Sequence, residues 1–198
     1  AINAPVMGDD YISAAERSAS AGITLSGTGE AGASIQVTME GVTRATVVRE
    51  DGSWSVNFAG TELRGGTYDS TVTVTSTDAA GNTGTVTHVV HVDTEVRNFT
   101  GATDGVVNAV DAASDLAVTG TVESGSRVQV QWRGTWYNAS VDANGNWSAS
   151  IPSSAIPAGE SNVVLTMRAT DHVGNVRTTT QTVRVDTLVN TLGLSGEV

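Results

Sequence analysis

Ser70-Thr71-Val72-Thr73-Val74-Thr75 alternates polar and apolar residues with a period of two. That is the signature of a strand with one face in a core and the other in water. A second run, Val86-Thr87-His88-Val89-Val90-His91-Val92, follows after a turn rich in Gly and Asn. Working outward from these two, Val/Thr-rich or alternating runs predict strands near 2–7, 21–28, 33–40, 43–49, 53–58, 69–77 and 84–92. Clusters of Gly, Asn and Asp separate them, as turns require. Asp51-Gly52 sits where a tight hairpin needs a positive φ. Trp54 follows that turn, and a large aromatic there predicts a core anchor.

The whole pattern then recurs. Val92-Asp93-Thr94 reappears as Val185-Asp186-Thr187, 93 positions on. The same shift carries Gly52-Ser53-Trp54-Ser55 onto Gly145-Asn146-Trp147-Ser148. It also carries Thr77-Asp78-Ala79-Ala80-Gly81-Asn82 onto Thr170-Asp171-His172-Val173-Gly174-Asn175. Near the start of each copy the shift is 95: Asp9 matches Asp104, Ile12 matches Val107 and Glu16 matches Asp111. So many matches in register exclude coincidence and define a repeat. The strands of the second copy are predicted at 127–133, 135–141, 146–151, 162–170 and 176–185. Seven short strands in about 93 residues predict an immunoglobulin-like β-sandwich. The chain is therefore expected to be all-β, with two tandem sandwiches at 1–93 and 94–186. Residues 187–198 resemble the opening of a further copy, so a longer array is expected.

Composition narrows the function. The chain has 198 residues and no cysteine, which excludes disulfides, thiolate metal sites and a catalytic thiol. It carries 21 acidic against 10 basic residues, a formal charge of −11, and every basic residue is arginine. Without lysine there is no Schiff base and no P-loop, and no basic surface for nucleic acid. An acidic chain attracts cations instead. No run approaches the about 20 apolar residues that span a bilayer. No basic-then-apolar leader opens the sequence, so an export signal is expected outside it.

Acidic residues recur where core packing has no use for them. These are Asp9, Asp10 and Glu16, matched by Asp104 and Asp111; Asp93, matched by Asp186; and Asp78, matched by Asp171. In a sandwich of this type the loop after the first strand and the end of the last strand share one pole. The loop before the last strand lies at the opposite pole. Asp9, Glu16, Asp93 and Asp171 are thus expected to converge where the two modules join. Carboxylates brought together repel unless a cation lies among them. An all-oxygen set suits Ca²⁺, whereas zinc would want His or Cys. Against this, Asp-x-x-Gly-Asn is in itself a turn signal, because Asp bonds to its own backbone.

The order of these motifs carries a resemblance. Gly8-Asp9-Asp10-Tyr11-Ile12-Ser13-Ala14-Ala15-Glu16, then Gly52-Ser53-Trp54, Thr77–Asn82 and Val92-Asp93-Thr94 resemble the bacterial Ig-like repeats of giant type I-secreted, RTX-type and biofilm-associated adhesins. The likeness covers both modules almost end to end. It implies an extender segment of a cell-surface stalk, monomeric and extracellular, whose partners are adjacent repeats. It also implies that Ca²⁺ at the junctions stiffens the stalk through Asp9, Glu16, Asp93 and Asp171. Two departures stand out. No proline follows Asp93-Thr94, and Asp111 replaces the usual Glu with a side chain one methylene shorter, which implies a weaker site below the second module.

Other chemistry has little support. His88 and His91 have odd spacing and point to opposite faces of one strand, so they cannot share a metal. No Gly-x-Ser-x-Gly elbow stands between a strand and a helix, and no enzymatic activity is expected. Trp132, Trp136 and Tyr137 occur only in the second module; the first has Met39–Arg44 there. If exposed together, they would form an aromatic patch able to stack on sugar rings or a protein partner. If buried, they are packing.

Overall fold

A computed structural model describes residues 1–188 and divides them into two compact units. The first comprises Ala1–Glu95 together with Val173–Asn175; the remainder forms the second. The expected opening of a further copy at 187–198 lies almost wholly outside the described residues.

The first unit contains β1 (Tyr11–Ile12), α1 (Ala14–Ser18), β2 (Ile23–Thr28), β3 (Ser34–Met39), β4 (Val42–Val47), β5 (Ser53–Phe58), β6 (Thr67–Thr77) and β7 (Thr83–Asp93). One sheet has the order β1-β7-β6-β3-β4 and the other pairs β2 with β5. All pairings are antiparallel except β1 with β7, where Tyr11 faces His91 and Ile12 faces Val92 in parallel. The alternation read from Ser70–Thr75 is realised: Ser70, Val72 and Val74 turn inward and Thr71 faces solvent. Trp54 is 1% exposed and Phe58 is fully buried between the sheets with Leu25, Ile35 and Val90.

The second unit repeats this design. It contains β8 (Val106–Asn108), β9 (Leu116–Thr121), β10 (Arg127–Trp132), β11 (Thr135–Asn138), β12 (Ser140–Val141), β13 (Asn146–Ile151), β14 (Glu160–Thr170) and β15 (Val176–Asp186). One sheet runs β11-β10-β14-β15-β8 and the other β12-β13-β9. Here β8 is the parallel edge strand, with Val107 facing Val185. Trp147, Val130 and Leu165 sit in its core.

Three local readings change. The strand expected at 2–7 is reduced to an isolated bridge between Ile2 and Gly27, and Val6–Gly8 forms a 3₁₀ turn. Pro5 offers no N–H to a ladder, and Met7 and Gly8 have φ of 55° and 105°. The segment expected as plain loop holds helix α1, because Ser13-x-x-Glu16 is a capping box: each side chain bonds to the other's backbone N–H. The single strand expected at 135–141 is two. β11 stays with β10, while β12 joins the other sheet beyond Ala139.

Candidate functional site

The candidate residues Glu16 and Asp93 of the first unit stand at the end of the β1–β7 ladder. The ladder begins with the His91 N–H donating to the Asp10 carbonyl at 2.8 Å and continues through Tyr11 and Ile12. The chain then turns into α1. Ser13, 6% exposed, donates both its N–H and its hydroxyl to Glu16 Oε2, at 2.9 and 2.8 Å. The next rung would join the Ala14 N–H to the Asp93 carbonyl. Instead a carboxamide fills it. Ala14 N–H donates to Asn175 Oδ1 and Asn175 Nδ2 donates to Asp93 O, both at 2.8 Å. Asn175 is 5% exposed. Removing that carboxamide would leave both backbone groups without a partner, at the desolvation cost of each.

Asp93 itself is 2% exposed, and its Oδ1 accepts the Thr67 hydroxyl at 3.0 Å. Burying a carboxylate is costly unless its oxygens are bonded or paired with a cation. Asp171, in the second unit, is 6% exposed. The donor chemistry of Glu16 and Asp93, oxygen only, is that of a hard cation. Among the described residues, however, no three His, Asp or Glu side chains stand close enough to share an ion.

The remaining acidic residues serve local structure. Asp9, exposed and upstream of β1, accepts the Tyr11 N–H at 2.9 Å. Asp10 Oδ1 accepts the Val6 N–H at 2.7 Å and lies 2.6 Å from His88 Nε2. Burial pushes the Asp10 pKa up, but the bonds from His88 and the Val6 N–H, with the nearby imidazole charges, bring it below the ordinary range. Asp78 Oδ1 accepts the N–H groups of Ala80 and Asn82, and its Oδ2 accepts Asn82 Nδ2 at 2.7 Å. Those bonds, led by the one from the Asn82 side chain, hold its carboxyl below the usual value.

In the second unit Asp104 accepts the Val106 N–H at 3.3 Å, and Asp111 Oδ2 takes the Asn108 N–H at 3.1 Å, the counterpart of the Ser13–Glu16 cap. Asp104 and Asp111 line an open, polar depression of about 430 Å³ with Asp115. Asp186 Oδ2 pairs with Arg184 at 2.8 Å, and its Oδ1 is buried without a partner among the described residues. The cause is one exchange: Thr67 faces Asp93 across the strands, but Glu160 faces Asp186.

Comparison with known proteins places this design. Residues 14–93 match the bacterial Ig domain family and residues 100–187 match the bacterial Ig-like domain family. The chain belongs to the bacterial Ig-like domain proteins. These bacterial Ig-like repeats are 34% identical, over 96% of the chain, to a solved structure described as a Ca²⁺-stabilized adhesin that helps an Antarctic bacterium reach out and bind ice; the TM-score is 0.54. They are 31% identical, over 95% of the chain, to one from a 1.5-MDa bacterial ice-binding adhesin, with a TM-score of 0.57. The chain spans 49% and 64% of those two structures. No match was found among curated proteins.

The aromatic residues of the second Ig-like repeat do not form one exposed patch. Trp132 is 1% exposed, with its indole N–H donating to the Ala155 carbonyl at 3.1 Å. Tyr137 packs against the core, and Trp136 alone is exposed, at 38%. The Arg168 guanidinium lies over the Trp136 ring, 4.5 Å from its centre. A platform for a sugar needs adjacent free ring faces, and this surface offers one ring with an arginine upon it. The two strand histidines each meet a separate carboxylate: His88 meets Asp10, and His91 Nδ1 lies 2.6 Å from Asp69. Asn175 and Ser13 are the site residues that the acidic pattern passes over. Ser13-x-x-Glu16 is legible as a cap, but the partners of Asn175 lie some 80 and 161 positions away.

Proposed function

We propose that this chain is an extender segment of the stalk of a bacterial cell-surface adhesin, working outside the cell as a monomeric link between adjacent repeats. The observation that carries the reading is the likeness over nearly the whole chain to two solved structures of ice-binding adhesins, at 31–34% identity. No helix among the described residues is long and apolar enough to cross a membrane. The acidic, lysine-free surface suits a long array that must not associate sideways.

Ca²⁺ is part of this proposal. When bound, it supplies positive charge that lets carboxylates stand together. Asp93 and Glu16 of the first repeat and Asp171 of the second would hold it, Asp9 joining from the edge. Asp104, Asp111 and Asp186 are the corresponding set at the end of the second repeat. The burial of Asp93 and Asp171 supports this, and so does the Ca²⁺ stabilisation named for one relative. The chain's own part is to present these oxygens from rigid places: Glu16 through its cap with Ser13, and Asp93 through the last rung of β7. Small-angle scattering with Ca²⁺ and then with EDTA tests it. The distribution of dimensions broadens when calcium is removed; an unchanged profile, with no bound calcium by atomic absorption, refutes the calcium arm.

A further inference from the structure

The two units share one fold, so each is a control for the other. A side chain that differs between them at the same sheet position is not required by that sheet. The outward face of the five-stranded sheet is such a place. In the first unit it is built from small hydroxyls: Thr38 meets Thr43 at 2.9 Å and Thr75 meets Thr85 at 3.2 Å. The 93-residue shift puts Arg168 at the place of Thr75, Trp136 at that of Thr43 and Arg127 at that of Ser34. The register is kept: Gln36 pairs with Thr75 as Gln129 does with Arg168, and Thr38 with Thr43 as Gln131 does with Trp136. Val128, Val130 and Trp132 turn into the core, so Arg127, Gln129 and Gln131 face outward.

Arg168 is held in place without a carboxylate. Its Nη2 donates to Gln129 Oε1 at 2.5 Å, and its guanidinium lies over the Trp136 ring. These contacts orient the fork and use one of its N–H groups; the others have no partner among the described residues. Arg127 is exposed and has no partner among them either. It stands on the diagonal from Arg168, which puts the two backbones about 7–8 Å apart. The stretches that build this part of the face, 127–131, 164–170 and 176–182, hold no Asp or Glu. Asp171, next along, is buried rather than on the face. Within a chain of charge −11 this is a cationic island, and the sheet does not need it, since Ser34 and Thr75 serve in its place in the first unit.

We infer that Arg127 and Arg168 form a docking site for an acidic polysaccharide whose sugars carry carboxylates. A guanidinium presents parallel N–H groups that match the two oxygens of a carboxylate. Arg168 does so with little loss of freedom, because Gln129 and Trp136 already orient it. Gln131, Thr166 and Thr178 beside it offer neutral donors and acceptors for sugar hydroxyls. The arginine that denies the Trp136 ring to a neutral sugar is itself the group that takes an acidic one. Two arginines suit a polymer with widely spaced charges. The dense phosphates of a nucleic acid, or a second copy of this chain, meet the repulsion of the acidic remainder. The site goes beyond the stalk reading by giving the segment a hold on polymer alongside it.

The test titrates the full chain with hyaluronate and polygalacturonate oligosaccharides and with neutral dextran, reading the NMR shift of the Trp136 indole N–H. Binding of at least one acidic glycan, but not of dextran, is expected, with an affinity that falls as salt rises. Arg168→Thr and Arg127→Ser install the first unit's own residues, so the fold is retained by circular dichroism, and each weakens binding about tenfold. Arg49→Ser makes the same change of charge in the first unit and leaves binding unaltered. If Arg168→Thr fails to fold, Arg127→Ser, at an exposed position, decides. Neither glycan bound, dextran bound equally, binding unchanged in the two variants, or an equal loss in Arg49→Ser overturns the inference. Tighter binding of duplex DNA, or self-association in ultracentrifugation that Arg127→Ser abolishes, overturns it in favour of those partners.

Discussion

Asn175 Nδ2 donates to the backbone carbonyl of Asp93 at 2.8 Å, across 82 positions of sequence. The same side chain receives the Ala14 N–H, so one carboxamide serves the two backbone groups at the end of a parallel ladder. The bond to Asp93 is buried and the bond to Ala14 is part-buried.

Asn175→Ala therefore leaves a part-buried amide and a buried carbonyl unpaired. The expected loss is about 1–3 kcal/mol for the first unit. Asn82→Ala, at the exposed counterpart, costs about 0.5 kcal/mol or less. Urea denaturation of the two variants side by side checks the contrast.

Calcium removal is expected to lower the melting temperature. An ion bound only by the folded chain at 100 times its Kd contributes about 2.7 kcal/mol. Asp93→Asn keeps the shape and the Thr67 bond but removes the charge, so the shift between Ca²⁺ and EDTA should shrink. Calorimetry of wild type and variant in both buffers measures this.

Asp10 gives the first unit a pH dependence. Its folded pKa lies below the ordinary 3.8, so its contribution is complete above that value and is lost as pH falls through the folded pKa. Asp10→Asn weakens the bonds to His88 and Val6, costing about 1 kcal/mol at pH 7. The gap between wild type and variant should close in acid. In the second unit Gln181 replaces His88 and bonds to the Thr103 backbone N–H at 2.9 Å and carbonyl at 3.1 Å. Denaturation of the second unit should not share that gap.

Trp132→Ala should cost about 3–5 kcal/mol, as for any fully buried large aromatic. Trp136→Ala, whose ring meets solvent and Arg168, should cost about 1 kcal/mol or less. Thermal unfolding separates the two.

The strands and the repeat were legible because a period of two needs only local sequence. The sequence reading left the exposure of Trp132 open, although the same period bears on it. It stands in phase with Val128 and Val130 along β10, so the alternation that buries them buries it. Trp136 faces Gln131 on the solvent side, and Tyr137 faces Val130 on the inner side. The expected pole of acidic residues was less legible. Aspartate serves cations, turns and caps with the same oxygens, and sequence spacing cannot tell Asp78, tied to its own Asn82, from Asp93, held under Thr67. Asn175 was beyond reach, since its partners are backbone atoms that have no sequence signature.

The parallel pairing of β1 with β7, and of β8 with β15, decides how each sandwich bears tension. When the two ends of such a unit are drawn apart, the paired edge strands slide past one another lengthwise. Their hydrogen bonds then fail together rather than peeling open one at a time. Even a two- or three-residue edge strand thus acts as a mechanical clamp, whose strength lies in its direction more than in its length.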